Sequence, residues 1–187
     1  IPVYKKLDPK DPSNYRPISV LSVFSKIIEK IVCDKISAFL NNNNVLSHSQ
    51  HGFRANRSTE TATIDFIQEI HKELDRGRVV IAALLDISRA FDTVDHELLA
   101  QKLNAAGIRG KVNEWVISFV SDRSFRVHIK GEKSEQFNID IGTPQGSTLA
   151  PMLFLIYVND MVEYLGKYGI LFMYADDTTI IVSASTR

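Results

Sequence analysis

The sequence predicts an α+β fold in which antiparallel hairpins pack on helices. Two stretches, residues 20–41 and 59–76, carry apolar side chains at the 3.6-residue spacing of an amphipathic helix. Two others, residues 125–141 and 169–184, each contain two strand-like runs separated by a turn signal. A chain of 187 residues is long enough for one good-sized core or two small subdomains.

Composition narrows the function classes. The single cysteine, Cys33, excludes a disulfide framework or a CxxC zinc site, and we expect a buried core thiol in a protein of a reducing, intracellular compartment. No apolar run approaches the ~18 residues of a membrane span, and no signal peptide is visible, so we expect no membrane partner. A start at Ile1 rather than Met, and an end at Arg187 just past a predicted strand, indicate a fragment.

Charge is balanced overall but uneven along the chain. The 22 basic and 22 acidic residues give zero net charge, which argues against a strong nucleic-acid binder on bulk electrostatics alone. Residues 1–60 nevertheless hold nine basic and five acidic residues, so the basic excess is N-terminal. A solvated face often has this composition.

The N-terminal third reads as a loop followed by two helices. Prolines forbid a long helix before residue 20, and Pro17 biases Arg16, interpreted here as a solvated loop arginine, towards an extended backbone. The helix of residues 20–41 is predicted to end at the run Asn41–Asn44. Its predicted apolar face comprises Val20, Val23, Phe24, Ile27, Ile28, Ile31, Val32, Ile36, Phe39 and Leu40, and its predicted polar side comprises Lys26, Glu29, Lys30, Asp34 and Lys35.

Two arginines, Arg54 and Arg57, precede Ser58, the predicted N-cap of a helix over about 59–76. Cations oppose the dipole at a helix N-terminus, and an anionic ligand such as a triphosphate would remove that conflict. The alternative is that both are ordinary surface arginines. We expect this helix to turn inward Ala62, Phe66, Ile67, Ile70 and Leu74.

The unbroken apolar run Val79–Leu85 predicts a fully buried strand, and it ends in Asp86. A carboxylate there is a poor structural choice and a good catalytic one. Helices are predicted to follow, the first capped by Thr93 or Asp95 and reaching about residue 106, the second over about 111–121.

A hairpin with its turn at Gly131–Lys133 follows, and then the tight loop Gly142–Gly146. Ser147 or Thr148 is the predicted cap of a helix that runs to about Val162. A glycine-rich loop before a helix can approach a ligand closely and offer backbone donors.

The last hairpin places Asp176-Asp177 at its turn, where Asn-Gly or Asp-Gly would be usual. The pair is either a solvated turn or a divalent-metal site, because Mg²⁺ prefers carboxylate oxygens. If this hairpin and the strand ending at Asp86 are neighbours in one sheet, three carboxylates form one cluster. Such a cluster can hold two Mg²⁺ about 3.5–4 Å apart for in-line phosphoryl transfer.

Five motifs in this order resemble the reverse transcriptase domain of LINE-type (non-LTR) retrotransposons. They are Tyr15–Ser19 (YRPIS), Gln50–Arg54 (QHGFR), Leu85–Asp92 (LDISRAFD), Gly142–Ser147 (GTPQGS) and Tyr174–Asp177 (YADD). The flanking segments Asp92–Leu99 and Leu153–Asp160 look most like the Jockey and CR1 branches. Departures are mild: Thr143 and Thr148 stand where the family often has Val, and Arg89 where it often has Lys.

The resemblance implies a right-hand polymerase of fingers and palm, with an antiparallel palm sheet packed on helices and the thumb absent. Residues 1–187 would be the reverse transcriptase domain, approximately 1–77 mostly fingers and approximately 78–187 mostly palm. The implied activity is RNA-directed DNA synthesis from a primer 3′-end with two Mg²⁺. The implied partners are an RNA template, a DNA primer, dNTPs and the missing remainder of a polyprotein, in cytoplasm and nucleus. A fragment without a thumb is expected to have little processive activity.

The resemblance also implies residue roles. Asp86, Asp176 and Asp177 match the catalytic metal carboxylates, and Phe91 matches an aromatic gate against the ribose 2′-OH. Gln145, with Pro144 and Gly146, matches the loop that lines the nucleotide and template pocket. Arg54 matches an arginine near the incoming triphosphate, and Arg16 and Arg57 match this role less well. Asp92 has a catalytic part or is a structural partner of nearby backbone or a basic residue.

Other readings remain open at this point. An inactive or repurposed nucleic-acid-binding fragment on the same fold lacks catalysis, although the three intact aspartates favour an enzyme. An RNA-dependent RNA polymerase shares the palm, but Phe91 counts against it. Jockey-like flanks count against a group II intron maturase or a telomerase.

Overall fold

The computed structural model describes residues 1–185 and is a mixture of helices and short antiparallel sheets. The strands are β1 (Pro2–Tyr4), β2 (Tyr15–Pro17), β3 (Arg78–Asp86), β4 (Arg123–Phe125), β5 (His128–Ile129), β6 (Glu132–Lys133), β7 (Phe137–Ile139), β8 (Ile170–Tyr174) and β9 (Asp177–Ser185). The helices are α1 (Val23–Asn42), α2 (Thr59–Asp75), α3 (His96–Ala105), α4 (Lys111–Val120), α5 (Ala150–Val158) and α6 (Met161–Leu165). Every region predicted to be helical contains a helix, both predicted hairpin regions pair as antiparallel strands, and the chain mixes helices with sheets as expected.

The largest sheet contains three antiparallel strands in the order β3-β9-β8. Its register pairs Arg78 with Ser185 at one end and Asp86 with Asp177 at the other. Strands β3 and β9, which are about 90 residues apart in the sequence, are therefore neighbours in the sheet. The other strands of the described residues form three two-stranded ribbons, β1-β2, β4-β7 and β5-β6.

Helix α5 is the centre of the hydrophobic core. It is apolar on all sides, and Leu153, Phe154 and Leu155 are each at most 1% exposed. A helix of this kind must be enclosed by other elements. Buried residues of α1, α3, α4 and β8 belong to the same cluster, so α5 connects the helical layer to the sheet.

Strand β3 corrects one prediction. Its apolar run is not buried: eight of its nine residues are exposed, with Leu84 at 80%. It lies at the edge of the sheet, and α2 packs on it without closing both faces. An apolar run shows that a strand is suited to burial. Whether the strand is buried depends on which other elements pack on its two faces.

Local signals at helix ends were predicted well in two cases. Ser58 caps α2 with a reciprocal capping box to Thr61, and Asp95 caps α3 by accepting from Leu98 N at 2.8 Å. On α2, however, Ile67 and Leu74 are 45% and 49% exposed, so the inward face is narrower than expected.

The helix predicted to run from residue 147 or 148 to about 162 is two helices, because α5 ends at Val158 and α6 begins at Met161. The cap prediction was also wrong in detail, since Leu149 occupies the N-cap position. The hairpin turn falls at Lys130-Gly131, one residue earlier than expected, and both have positive φ. No helix in the described part of the chain has the length and apolar character needed to cross a membrane.

Candidate active site

Two of the predicted metal carboxylates lie directly opposite each other on adjacent strands of the sheet. Asp86, the last residue of β3, is the direct partner of Asp177, the first residue of β9. Directly opposed residues of an antiparallel pair point to the same face, with Cβ atoms about 4.5–5.5 Å apart. Asp176 lies next to them in the two-residue turn between Tyr174 and Asp177. The structure thus places all three predicted residues at one end of one sheet.

Their chemistry fits a hard divalent cation, because carboxylate oxygens are preferred Mg²⁺ ligands and opposed like charges need compensation. Asp86 and Asp177 are exposed and Asp176 is half-buried, so all three are within reach of solvent. Across residues 1–185, however, no three Asp, Glu, His or Cys side chains are grouped closely enough to hold a metal ion. The three aspartates therefore offer suitable Mg²⁺ donors at one end of the sheet, but within the described residues they do not form a closed three-ligand cluster.

The turn itself has an uncommon backbone. Ala175 has φ +57°, the left-handed region that favours glycine, and it is 5% exposed. The side chain of Gln50 binds it twice: Oε1 accepts from Ala175 N at 2.9 Å, and Nε2 donates to Ala175 O at 3.4 Å. A segment far away in the sequence therefore holds the turn.

That segment runs along the free edge of β8. His51 N donates to Met173 O at 2.7 Å, and Met173 N donates to Ser49 O at 2.8 Å. Gly52 follows, and a Cβ there would lie 2.3 Å from Ala175 N. Only glycine permits this approach, which explains the glycine in QHGFR.

The predicted gate, Phe91, is held between two other aromatic rings. Its ring centroid lies 4.7 Å from that of Phe154 in the core, and 6.3 Å from that of Phe53 in an edge-on arrangement. Since Phe53 follows Gly52 directly, the QHGFR loop contacts both the aspartate turn and Phe91. Phe91 is thereby fixed rather than free to rotate away.

The glycine-rich loop packs on the segment that carries Phe91. Gly142 N donates to Val94 O and Thr143 N donates to Phe91 O, both at 2.8 Å. A Cβ on Gly142 would lie 2.8 Å from Asp92 O. These contacts fix the loop beside Phe91 and the 3₁₀ turn of Ala90–Asp92.

Gln145 does not extend freely from the loop. Its Nε2 donates to Asp92 Oδ1 at 2.7 Å, and its carbonyl accepts from Ser19 N at 2.8 Å. Asp92 therefore has a structural partner, the side-chain amide of Gln145, whereas the structural alternative drawn from the sequence was backbone or a basic residue. Pro144 is buried, and Gly146 has φ +108° with Ser19 O 3.0 Å from the position of a Cβ.

The predicted anion-binding arginines are partly engaged within the protein. Arg54 Nη1 donates to Ser47 O at 2.6 Å, and burial, together with the charge of Arg57, lowers the pKa of Arg54. Arg57 Nη1 donates to His48 O at 2.6 Å. Arg16 is exposed on β2. Arg54 and Arg57 thus also stabilise the loop between α1 and α2 to which they belong.

Residues 5–187 match the family described as Reverse transcriptase (RNA-dependent DNA polymerase). The chain belongs to this family. A probable RNA-directed DNA polymerase from transposon X-element of Drosophila melanogaster is 30% identical over 175 residues, covering 91% of this chain and 19% of the relative. The RNA-directed DNA polymerase from mobile element jockey of the same fly is 29% identical over 184 residues, covering 95% and 20%. The resemblance to non-LTR elements is confirmed, and this reverse transcriptase chain spans about a fifth of those relatives.

A solved structure supports the fold. Apo telomerase from Candida tropicalis, truncated from its C-terminal domain, superposes with a TM-score of 0.60 over 84% of this chain and 34% of that one. At 16% identity, this likeness concerns the fold alone.

Two residues that support the elements of this candidate site do not stand out in the sequence. Gln50 lies within the QHGFR motif, but the sequence does not indicate its role, because its partner Ala175 is 125 residues away. Glu29 was placed on the solvent side of α1, yet it is fully buried and binds the start of the segment that leads into α5. Neither could be recognised from spacing, since both act through long-range contacts.

Proposed function

We propose that this chain is the nucleotidyl-transfer core of an RNA-directed DNA polymerase of a non-LTR retrotransposon. The observation that carries the proposal is the direct pairing of Asp86 with Asp177, beside Asp176 in the adjoining turn. In this proposal, residues 1–77 are mostly fingers and residues 78–187 mostly palm. The substrates are an RNA template, a primer with a free 3′-hydroxyl and dNTPs.

Asp86, Asp176 and Asp177 are the residues that would hold Mg²⁺. Two ions held there would activate the attacking 3′-hydroxyl and neutralise charge on the leaving pyrophosphate. The protein contributes the position of its carboxylates, since two of them are fixed in register by nine paired residues of β3 and β9. Holding the ions with all three carboxylates would require them to come closer together, because they are not grouped closely enough in the described residues.

Phe91 would close the pocket on the sugar side. Its ring packs against Phe154 and Phe53, which hold it in place. A ribose 2′-hydroxyl would therefore clash with the ring. The loop that includes Pro144, Gln145 and Gly146 would line the same pocket next to Phe91. Arg54, Arg57 and Arg16 would supply positive charge for the triphosphate or the template backbone.

Primer extension tests the proposal. Because the chain spans about a fifth of its relatives, it is best assayed as a chimaera that replaces the matching segment of the jockey polymerase. We expect Mg²⁺-dependent dNTP incorporation on an RNA template. Asp176→Asn with Asp177→Asn should lower incorporation by more than about 100-fold, since metal ligands are removed.

Asp34→Asn is the matched control, because Asp34 is an exposed aspartate of α1 away from the sheet end. It should incorporate as the unmodified chimaera does. Equal incorporation by the Asp176/Asp177 variant would contradict the metal site. Template binding without incorporation by the unmodified chimaera would favour a repurposed nucleic-acid-binding fragment.

A further inference from the structure

One side chain holds the turn that carries the aspartates. Gln50 is 3% exposed, and its amide makes three hydrogen bonds. Oε1 accepts from Gly52 N at 2.7 Å and from Ala175 N at 2.9 Å, and Nε2 donates to Ala175 O at 3.4 Å. Both backbone polar groups of Ala175 therefore have the same partner.

Ala175 needs such a partner for two reasons. Its φ of +57° is a strained conformation for a residue with a Cβ, and such residues persist only when their surroundings fix them. It is also 5% exposed, so water cannot readily satisfy its N–H and C=O groups. A glycine would relieve the first problem, but the chain has alanine.

The surroundings of Gln50 are rigid enough to serve as the support. The backbone bonds between His51 and Met173, and between Met173 and Ser49, attach the segment to the edge of β8. Gly52 lies against Ala175 so closely that a Cβ would come within 2.3 Å of its nitrogen. The backbone of Gln50 is thus fixed relative to Ala175, and its side-chain amide is positioned to bind the turn.

We propose that Gln50 is a positioning residue of the nucleotidyl-transfer site, which holds Ala175 so that Asp176 and Asp177 are presented at the end of the sheet beside Asp86. This rests on the proposed function above. The role requires a side chain as long as that of glutamine with both a hydrogen-bond acceptor and a donor at its end. Leucine provides neither, and an ionised glutamate provides only acceptors while adding a third negative charge near the turn.

The activity test compares the chimaera with its Gln50→Leu and Gln50→Glu variants. We expect kcat to fall by about 10- to 100-fold in Gln50→Leu, the range for lost support of a metal ligand, and the Mg²⁺ concentration for half-maximal activity to rise. The KM for primer–template should change by less than roughly threefold, because the Gln50 side chain is buried and its amide is bonded to the protein backbone. Gln50→Glu should show the same direction of change.

Leu46→Ala is the control for simple destabilisation. Leu46 is 4% exposed in the same loop region but belongs to the hydrophobic core and not to the turn. This variant should lose stability while keeping kcat per folded molecule and the Mg²⁺ requirement. A Gln50→Leu variant that behaves in the same way would overturn the positioning role.

Amide hydrogen exchange in the 187-residue chain gives a readout that does not depend on activity. We expect Gln50→Leu to accelerate exchange at Ala175 N–H by about tenfold or more, while Met173 N–H, bonded to Ser49 O, stays protected. Unchanged protection at Ala175 would contradict the inference. An unmodified chimaera without incorporation would contradict the proposed function instead, and exchange at Ala175 would still decide whether Gln50 holds the turn.

Discussion

Glu29 of α1 accepts a hydrogen bond from Ser147 Oγ at 2.6 Å, although 118 residues separate them. The same carboxylate oxygen accepts from Thr148 N at 2.9 Å, and the other oxygen accepts from Ser25 Oγ at 2.8 Å. Ser147 Oγ in turn accepts from Leu149 N and Ala150 N. The buried carboxylate thereby fixes the junction between the GTPQGS loop and α5.

Replacing Glu29 should separate loss of charge from loss of hydrogen bonding. We expect Glu29→Ala to lower the free energy of unfolding by about 2–4 kcal/mol, because it leaves the buried Ser147 hydroxyl and the Thr148 N–H without their carboxylate acceptor. Glu29→Gln keeps one oxygen for both and should cost at most about 1.5 kcal/mol. Urea unfolding of the chain measures both values.

Asp34→Ala is the control on the same helix, because Asp34 forms an exposed ion pair with Lys30. It should change the free energy of unfolding by less than about 1 kcal/mol. Equal losses for the alanine variants of Glu29 and Asp34 would contradict a structural role for the buried carboxylate.

Helix α1 shows what the sequence could and could not predict. Its helical period and its end near Asn43 follow from local residues. Its orientation does not, because Phe24 and Ile27, both on the predicted inward face, are 80% and 52% exposed while Glu29 is at 0%. Only the C-terminal half, with Ile36 and Leu40, faces the core as expected.

The candidate site divides in the same way. Motif order and residue type single out Asp86, Asp176 and Asp177 as candidates. The strand pattern predicts a hairpin turn at Asp176-Asp177, but the turn is Ala175-Asp176, because Asp177 is already paired in β9. The register that sets Asp86 opposite Asp177 could not be derived, since strand pairing over such a separation depends on packing rather than on local propensity. The partners of Gln50 and Gln145 were hidden for the same reason.

The opposed pair of Asp86 and Asp177 should cost stability when no cation is present. Like charges directly across an antiparallel pair are unfavourable, so Asp86→Asn should raise the free energy of unfolding by about 0.2–1 kcal/mol. Both residues are exposed, and the gain should shrink in 1 M salt. Urea titrations without divalent ions, at low and high salt, measure it.

Asp140→Asn serves as the control, since Asp140 is an exposed aspartate just after β7, on another ribbon. It removes the same net charge without touching the pair. If both variants stabilise the chain equally, general charge and not the cross-strand pair is the cause.

Removing the ring of Phe91 should relax sugar selection. We expect Phe91→Val in the chimaera to raise ribonucleotide use relative to deoxynucleotide use by about 10- to 100-fold, because several ring carbons that exclude a 2′-hydroxyl are lost. The ratio of kcat/KM values for a matched rNTP and dNTP measures it. Phe125→Val, an exposed aromatic of β4, should leave the ratio unchanged. An unaltered ratio in Phe91→Val would discard the gate.

A buried carboxylate near the end of the sheet opposite to Asp86 predicts a pH dependence of stability. Glu73, at the end of α2, is 3% exposed and accepts from Ser183 Oγ, from Arg78 Nη1 at 2.7 Å and from Arg76 Nη1 at 2.5 Å. The hydrogen bond from Ser183, then that from Arg78, lowers the pKa of Glu73 from 4.5 to about 2. The carboxylate therefore joins α2 to both β3 and β9.

Because the pKa of Glu73 is lowered on folding, its stabilising contribution is complete above about pH 4.5 and is lost as the pH falls towards 2. Glu73→Gln should unfold at lower urea concentration than the unmodified chain at pH 7, and the difference between the two should shrink steadily below pH 4.5. Glu69→Gln is the control on the same helix, since Glu69 pairs with the half-exposed Lys72 one turn away, and its effect at pH 7 should stay below about 1 kcal/mol. A difference between the unmodified chain and Glu73→Gln that is the same at pH 7 and pH 3 would show that the three hydrogen bonds do not depend on the charge of Glu73.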